Sequence, residues 1–201
     1  MPLYLLRHGE TVDNVAGRFQ GQNDSELTEV GRQQARDNGR VLNSLIAPAT
    51  DLKFVSSPLG RTQKTSRIIC TRLGRLFDSV ETDPRLMEMH YGAWQGMTEF
   101  EIEQEYPGQW ESWNRQPATY PIPGGGESYD QLFQRVDDWL EDTGVHWQGE
   151  AAWIAVSHGG IGSVICGRYL GLPLAEMRQL ARPHDRFYEL HKGQITTHAA
   201  S

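Results

Sequence analysis

The sequence predicts an α/β fold in three layers, a mostly parallel central sheet covered by helices on both faces. Three observations carry this. Short apolar runs at Leu3–Leu6, Leu52–Val55 and Ala151–Val156 read as buried strands. Longer stretches with helical spacing of apolar residues separate them. No linker or internal repeat divides the 201 residues, a length that suits one domain spanning 1–201.

The first strand ends in Arg7-His8-Gly9, and Asn14 to Ser25, rich in Gly, Gln, Asn and Asp, reads as a loop. Thr28 is placed to cap a helix running to about Ala47, with Ala35, Leu42, Leu45 and Ile46 as its buried face and Pro48 and Thr50 at its exit. After Leu52–Val55, Ser57 reads as an N-cap and Pro58 as the first helical residue. That helix continues through Ile68, Ile69 and Leu73 and stops at Gly74. A strand–loop segment follows from Ser79 to Met87. Residues 93–126 hold Trp94, Trp110, Trp113, four prolines and three consecutive glycines. They read as a lid-like insertion with one short helix (Thr98 to Tyr106) and much loop. Leu132, Phe133, Val136 and Leu140 mark a helix from about Ser128 to Asp142. Then come the strand ending in Ser157-His158-Gly159-Gly160, an apolar helix from Ile161 to Leu170, and a closing hairpin of Phe187–Leu190 with Gln194–Thr197.

Bulk properties exclude several function classes. A net charge of −7 argues against nucleic acid or an anionic membrane surface as the main partner, and it requires a locally basic pocket for any anionic ligand. Two cysteines, Cys70 and Cys166, both in apolar helical stretches, point to buried thiols in a reducing compartment. No C-x-x-C or clustered Cys/His spacing suggests a metal site, and none of the residues calls for a cofactor. Without a signal-peptide pattern or a membrane-length apolar run, the expected location is cytoplasmic. A homodimer is left open.

In an open α/β sheet, ligands bind outside the carboxyl ends of the strands. Arg7 and His8 stand at the end of one strand, Arg61 just beyond the second, and His158 at the end of a late one. Arg7-His8 alone is no more than a polar strand end. Arg61, however, falls in the first turn of a helix, where the macrodipole disfavours a cation unless an anion sits beside it. The glycines after His158 permit close backbone approach to a ligand. Two arginines and two histidines converging on one crevice suit a phosphoryl group, the guanidinium forks holding its oxygens and an imidazole attacking phosphorus. Glu88, among apolar neighbours in Leu86-Met87-Glu88-Met89, is the candidate proton donor, because burial there favours a protonated carboxyl.

These motifs, taken in order, resemble the histidine phosphatase superfamily, in its phosphoglycerate mutase-like branch. The resemblance rests on Leu6 to Thr11, Asn14, Gly17 to Gly21, Asp24 to Gly31, Ser56 to Thr62, Glu88 with Gly92 to Gly96, Gly125 to Ser128, and Ser157 to Gly160. It implies a phosphoglycerate mutase-like α/β/α fold and a phosphohistidine intermediate. His8 would be the nucleophile, Arg7, Arg61 and His158 would bind the phosphoryl group, and Glu88 would be the proton donor. Asn14 would line the phosphate pocket, Gly159 would offer a backbone N–H, and Gln20, Gly21 and Gln22 would border the substrate. No metal is implied.

Within that family the expected activity is that of a phosphoric monoester hydrolase acting on a small phosphorylated metabolite. The alternative is a cofactor-dependent phosphoglycerate mutase. Mutases carry an arginine where this chain has Met89, and further basic residues in a longer insertion. Here the insertion has Arg115 against Glu99, Glu101, Glu103, Glu105 and Glu111, a wall expected to repel a multiply anionic substrate. A non-catalytic binding module is disfavoured because His8, Arg7, Arg61, Glu88 and His158 are all present. Trp94, Trp110 and Trp113 suggest a partly apolar leaving group, but the preferred reading is that they pack the insertion onto the domain. Arg182 to Phe187 departs from the family pattern, and His184 and Arg186 are expected at the surface. His90, His146, His191 and His198 are expected to be structural or exposed.

Overall fold

The computed structural model describes residues 2–47, 51–143 and 151–200. Pro48 and Thr50, read above as a helix exit, and His146 lie outside these residues. Among the described residues six strands form one sheet: β1 (Leu3–Arg7), β2 (Leu52–Ser56), β3 (Glu81–Thr82), β4 (Ala152–Ser157), β5 (Arg186–His191) and β6 (Gln194–Ala199), in the order β3-β2-β4-β1-β5-β6. The β1–β4, β4–β2 and β2–β3 pairings are parallel, whereas β1–β5 and β5–β6 are antiparallel. The closing hairpin is therefore the antiparallel edge of a mostly parallel sheet. Lys192 and Gly193 turn it with both φ angles positive, as the right-handed strand twist demands of a two-residue loop.

The helices are α1 (Val12–Val15), α2 (Glu29–Leu45), α3 (Gly60–Leu73), α4 (Glu99–Glu105), α5 (Gln109–Arg115), α6 (Tyr129–Asp142), α7 (Gly159–Leu170) and α8 (Leu174–Met177). Alternation along the central strands divides the core in two. Leu3, Leu5 and Ala155 join Val136 and Trp139 of α6 and Ile165 of α7. Tyr4, Leu6, Ile154 and Val156 join Leu42 of α2 and Ile69 and Cys70 of α3. Strands buried on both faces cannot alternate apolar with polar, which is why β1 and β4 read as continuous apolar runs.

Three elements differ from the sequence reading. α3 does not begin at Pro58: Leu59 is its N-cap, without a side-chain bond, and Gly60 its first residue. The cap comes from elsewhere, since the Asp24 carboxylate accepts from Gly60 N at 2.8 Å and Arg61 N at 3.2 Å. On α2, Leu45 is exposed, and the buried face is built from Gly31, Ala35, Asn38, Gly39 and Leu42. Small residues let α2 approach α3 closely, a signal that a hydrophobic pattern discounts. Segment 93–126 also holds a helix that was not expected, α5, which starts from Gly108 in the left-handed region after Pro107. Trp94 and Trp113 are buried in it against Ile102, Ile122 and Tyr129, as expected of packing residues. Cys70 and Cys166 are buried free thiols, and among the described residues no helix is long and apolar enough to cross a membrane.

Candidate active site

The central position of β4 assembles the site. Arg7 is in register with Ser157 and Ser56 with Val156, so the carboxyl ends of β1, β4 and β2 lie side by side. His8 N donates to Ser157 O (3.0 Å) and Ser57 N to Val156 O (2.9 Å), which carries the sheet pairing one step past each strand. Behind β1, a Cβ on Gly9 would stand 2.2 Å from Gly31 O. Glycine there lets the start of α2 press directly against the strand end. The result is a cavity of about 170 Å³, lined by Arg7, His8, Asn14, Arg18, Gln20, Gly21, Arg61, Glu88, Gly159 and Arg182 among others.

Hydrogen bonds assign the protons of both central histidines. His8 Nδ1 bonds Gly9 O at 2.8 Å, and a carbonyl only accepts, so the proton is on Nδ1 and Nε2 keeps its lone pair. Arg61 Nε donates to His158 Nδ1 at 3.1 Å, which puts the His158 proton on Nε2, where Ser57 Oγ receives it at 2.8 Å. Arg61 Nε also stands 3.3 Å from His8 Nε2. The two rings meet edge to face with centroids 5.2 Å apart. Burial, then the charges of Arg61 and Arg7, hold the pKa of His8 well below the usual imidazole value; burial and Arg61 do the same to His158. Both rings are thus neutral near pH 7.

Arg61 is buried, and its Nη1 and Nη2 donate to Asn23 O and Gly21 O, each at 2.6 Å. Its charge reaches the histidines while its fork anchors the 21–23 loop. Asp24 at the same helix start is an anion of the chain itself that offsets the α3 dipole beside Arg61. Arg7 donates from Nη1 to Arg182 O (2.5 Å) and keeps Nε buried without a partner among the described residues. Burial lowers its pKa to about 10, with Glu88 opposing the shift. Glu88 is buried among apolar residues as expected, but its carboxylate itself meets peptide N–H groups. Oε2 accepts from Gly160 N (2.8 Å), and Oε1 from Met89 N (2.9 Å) and Ile161 N (3.0 Å), so the start of α7 grips the carboxylate.

The other expected residues divide. Asn14 lines the cavity with its Oδ1 engaged by Thr11, and Gln20 lines it while bonding Thr11 Oγ1 through Nε2. Gly21 and Gly159 form wall. Gln22 is not on that wall; its side chain donates to Glu88 O behind it. Arg186 pairs with Asp185 at the surface as expected. His184 does not: its Nδ1 donates to His8 O at 2.6 Å, and its ring stands 5.4 Å from that of His8.

Residues 3–194 match the family described as "Histidine phosphatase superfamily (branch 1)". The chain belongs to the histidine phosphatase superfamily. It is 36% identical over 180 residues to the glucosyl-3-phosphoglycerate phosphatase of Mycobacterium tuberculosis, covering 86% of this chain and 77% of that one. It is 36% identical to phosphoglycerate mutase-like protein 4 of Arabidopsis thaliana, over 79% of this chain and 66% of that one. The crystal structure of the alpha-ribazole phosphatase from Shigella flexneri superposes with a TM-score of 0.80 at 26% identity, covering 100% of this chain and 96% of that one.

For a histidine phosphatase of net charge −7, the cavity is markedly cationic: Arg7, Arg18, Arg61 and Arg182 face one carboxylate, Glu88. The acidic wall expected from the insertion is not there. Glu99, Glu103, Glu105 and Glu111 are exposed and away from the cavity, while Glu101 is held bidentately by Arg18. Met89 is fully buried in the core. Phe19, Tyr91, Arg18 and Arg182 are wall residues to which the sequence assigned no role, although Arg18 and Phe19 fall within the Gly17–Gly21 motif and Arg182 within an unusual segment.

The buried histidines give stability a definite pH sign. Burial, then Arg7, lower His184 to about 4, whereas an unfolded histidine titrates near about 6.5. Between these values the unfolded chain binds more protons, so stability is complete above the unfolded value and falls as pH drops toward the folded one. His8 and His158 act in the same direction. We expect the melting temperature to decline from pH 7 to 4.5, each histidine contributing up to about 1.4 kcal/mol per pH unit. His184→Asn should flatten the decline. A melting temperature constant over that range, or parallel curves for the two proteins, would contradict the assignment.

Proposed function

We propose that this protein is a metal-independent phosphomonoester hydrolase that works through a phosphohistidine on His8. The observation that supports it best is the His8 ring itself: neutral, with its proton fixed on Nδ1 and its Nε2 lone pair facing a cavity lined by guanidinium groups. A phosphate monoester enters with its oxygens toward Arg7 and the Arg61–His158 pair. His8 Nε2 forms the N–P bond as the ester P–O bond breaks, and a proton on Glu88 passes to the departing alcohol oxygen. Oε2 carries one N–H bond against two on Oε1, so Oε2 keeps the lone pair for that proton. Water then attacks phosphorus, Glu88 takes its proton, the N–P bond breaks, and inorganic phosphate leaves. Arginine charge does the electrostatic work that a metal ion does in other phosphatases.

Segment 93–126 supplies one wall of the substrate space, and a cytoplasmic setting fits the two buried thiols. Hydrolysis is preferred to phosphoglycerate interconversion because the cavity opens onto a broad cleft of about 720 Å³ that admits water, and because no arginine follows Glu88. Release of inorganic phosphate from a panel of phosphorylated metabolites should persist at full rate after exhaustive dialysis against EDTA. Activity lost to EDTA and restored by a divalent ion, or interconversion of 3- and 2-phosphoglycerate outpacing phosphate release, would overturn the reading.

A further inference from the structure

The catalytic cavity does not end at Tyr91. Phe19, Tyr91 and Arg182 line it and also line the larger cleft beyond, whose far wall is Trp110, Trp113, Tyr129 and Arg178. Its aromatic rings form one continuous surface. Phe19 touches Tyr91 (5.2 Å between centroids) and Trp110 (5.1 Å); Trp110 stacks on Trp113 (5.0 Å), and Trp113 on Tyr129 (6.2 Å).

Two cations line the cleft beside this aromatic wall. The Arg178 guanidinium lies 4.7 Å above the Trp113 ring and 5.8 Å from that of Tyr129, and Nη2 is fixed by Asn114 Oδ1 at 2.6 Å. Cation–π contact and a neutral amide hold the planar fork in place without neutralising it. Arg182, four residues on in the irregular segment after α8, donates to Arg178 O at 3.3 Å. Neither makes an ion pair with a carboxylate among the described residues, whereas Arg18, Arg85, Arg135 and Arg168 all do. Arg7, Arg182 and Arg178 thus carry positive charge from the cavity out into the cleft. The phosphoryl group accounts for the first of them only.

We propose that the alcohol portion of the substrate lies in this cleft and bears a second anionic group, a carboxylate or a second phosphate, held by Arg178 and Arg182 while its ring or carbon skeleton packs on the aromatic wall. The substrate class is then the phosphomonoester of an anionic alcohol with an apolar face. This deepens the hydrolase reading and rests on it.

The test compares three esters on the unaltered protein: phenyl phosphate, 3-carboxyphenyl phosphate and 1,3-phenylene bisphosphate. We expect kcat/KM for at least one anionic ester to exceed that for phenyl phosphate by roughly tenfold or more, as a charge-assisted contact provides, and the better of the two names the anion. R178Q should bring that ratio toward one, and R178K should retain most of it. Equal kcat/KM for all three esters, or an unchanged ratio in R178Q, would overturn the proposal. If none of the esters is hydrolysed, the hydrolase reading fails. Calorimetry with the same esters then decides the inference, tighter binding of an anionic ester that is lost in R178Q supporting it and equal binding of all three refuting it.

Discussion

His8→Ala is expected to lower kcat for phosphate release at least about 10³-fold and to abolish labelling of the protein by a radioactive phosphoryl donor. The expectation is specific to His8, although two neutral, buried histidines meet in the site. Both ring nitrogens of His158 are engaged, Nδ1 by Arg61 and Nε2 by Ser57. It therefore has no lone pair to offer without first losing a bond. His8 has its proton tied to Gly9 O and only the longer, 3.3 Å contact from Arg61 at Nε2. The unaltered protein should take up one phosphoryl group per chain, stable to alkali and lost in acid as a phosphoramidate is. His158→Ala should still take it up, more slowly. Label retained by His8→Ala, or lost equally from both variants, would move the nucleophile away from His8. A fold effect is separable, because His8→Asn can keep a donor to Gly9 O while lacking the nucleophile.

The sequence made the chemistry legible further than the geometry that refines it. Strands β1, β2 and β4 were readable because burial on both faces leaves uninterrupted apolar runs, and polar residues after such runs mark the edge where a site can form. Thr28 was readable as a cap because its hydroxyl can accept from the peptide N–H three residues on, and Thr98 and Ser128, read only as helix starts, cap their helices in the same way. What escaped depends on partners distant in the chain. The start of α3 is fixed by Asp24, 36 residues before Gly60, and local capping rules therefore placed it two residues early. His184 meets the carbonyl of His8 across 176 positions, and no local pattern announces that contact. The glutamates of α4 and α5 illustrate a different limit. Composition gave their charge, but which helix face turns to the cavity is decided by packing, and the buried face went to Ile102 and Trp113. The inferred repulsion of anionic substrates therefore disappears, and the arginines of the 178–182 segment reverse it.

Glu88→Gln should separate substrates by how much help their leaving group needs. A nitrophenolate departs as a stable anion, whereas an alkyl alcohol departs only with a proton delivered to its oxygen. If Glu88 supplies that proton, kcat/KM for an alkyl phosphate should fall about 10²- to 10⁴-fold, and that for 4-nitrophenyl phosphate by far less. The substitution is nearly isosteric but not neutral. An amide can still accept from Met89 N and Ile161 N on its oxygen, but its NH₂ then faces the Gly160 N–H now bonded at 2.8 Å. Two donors opposed there cost on the order of 1–3 kcal/mol of stability. A lower melting temperature is therefore expected in the same variant. It does not explain a loss that depends on the leaving group, since a general distortion slows both esters alike. Equal losses on the two would remove Glu88 from proton transfer and leave it as the anchor of α7. If water attacks the phosphohistidine with Glu88 as base, the variant should also hold its label longer than the unaltered protein when 4-nitrophenyl phosphate is the donor. Accumulated phosphoprotein with near-normal nitrophenol burst would place Glu88 in both half-reactions.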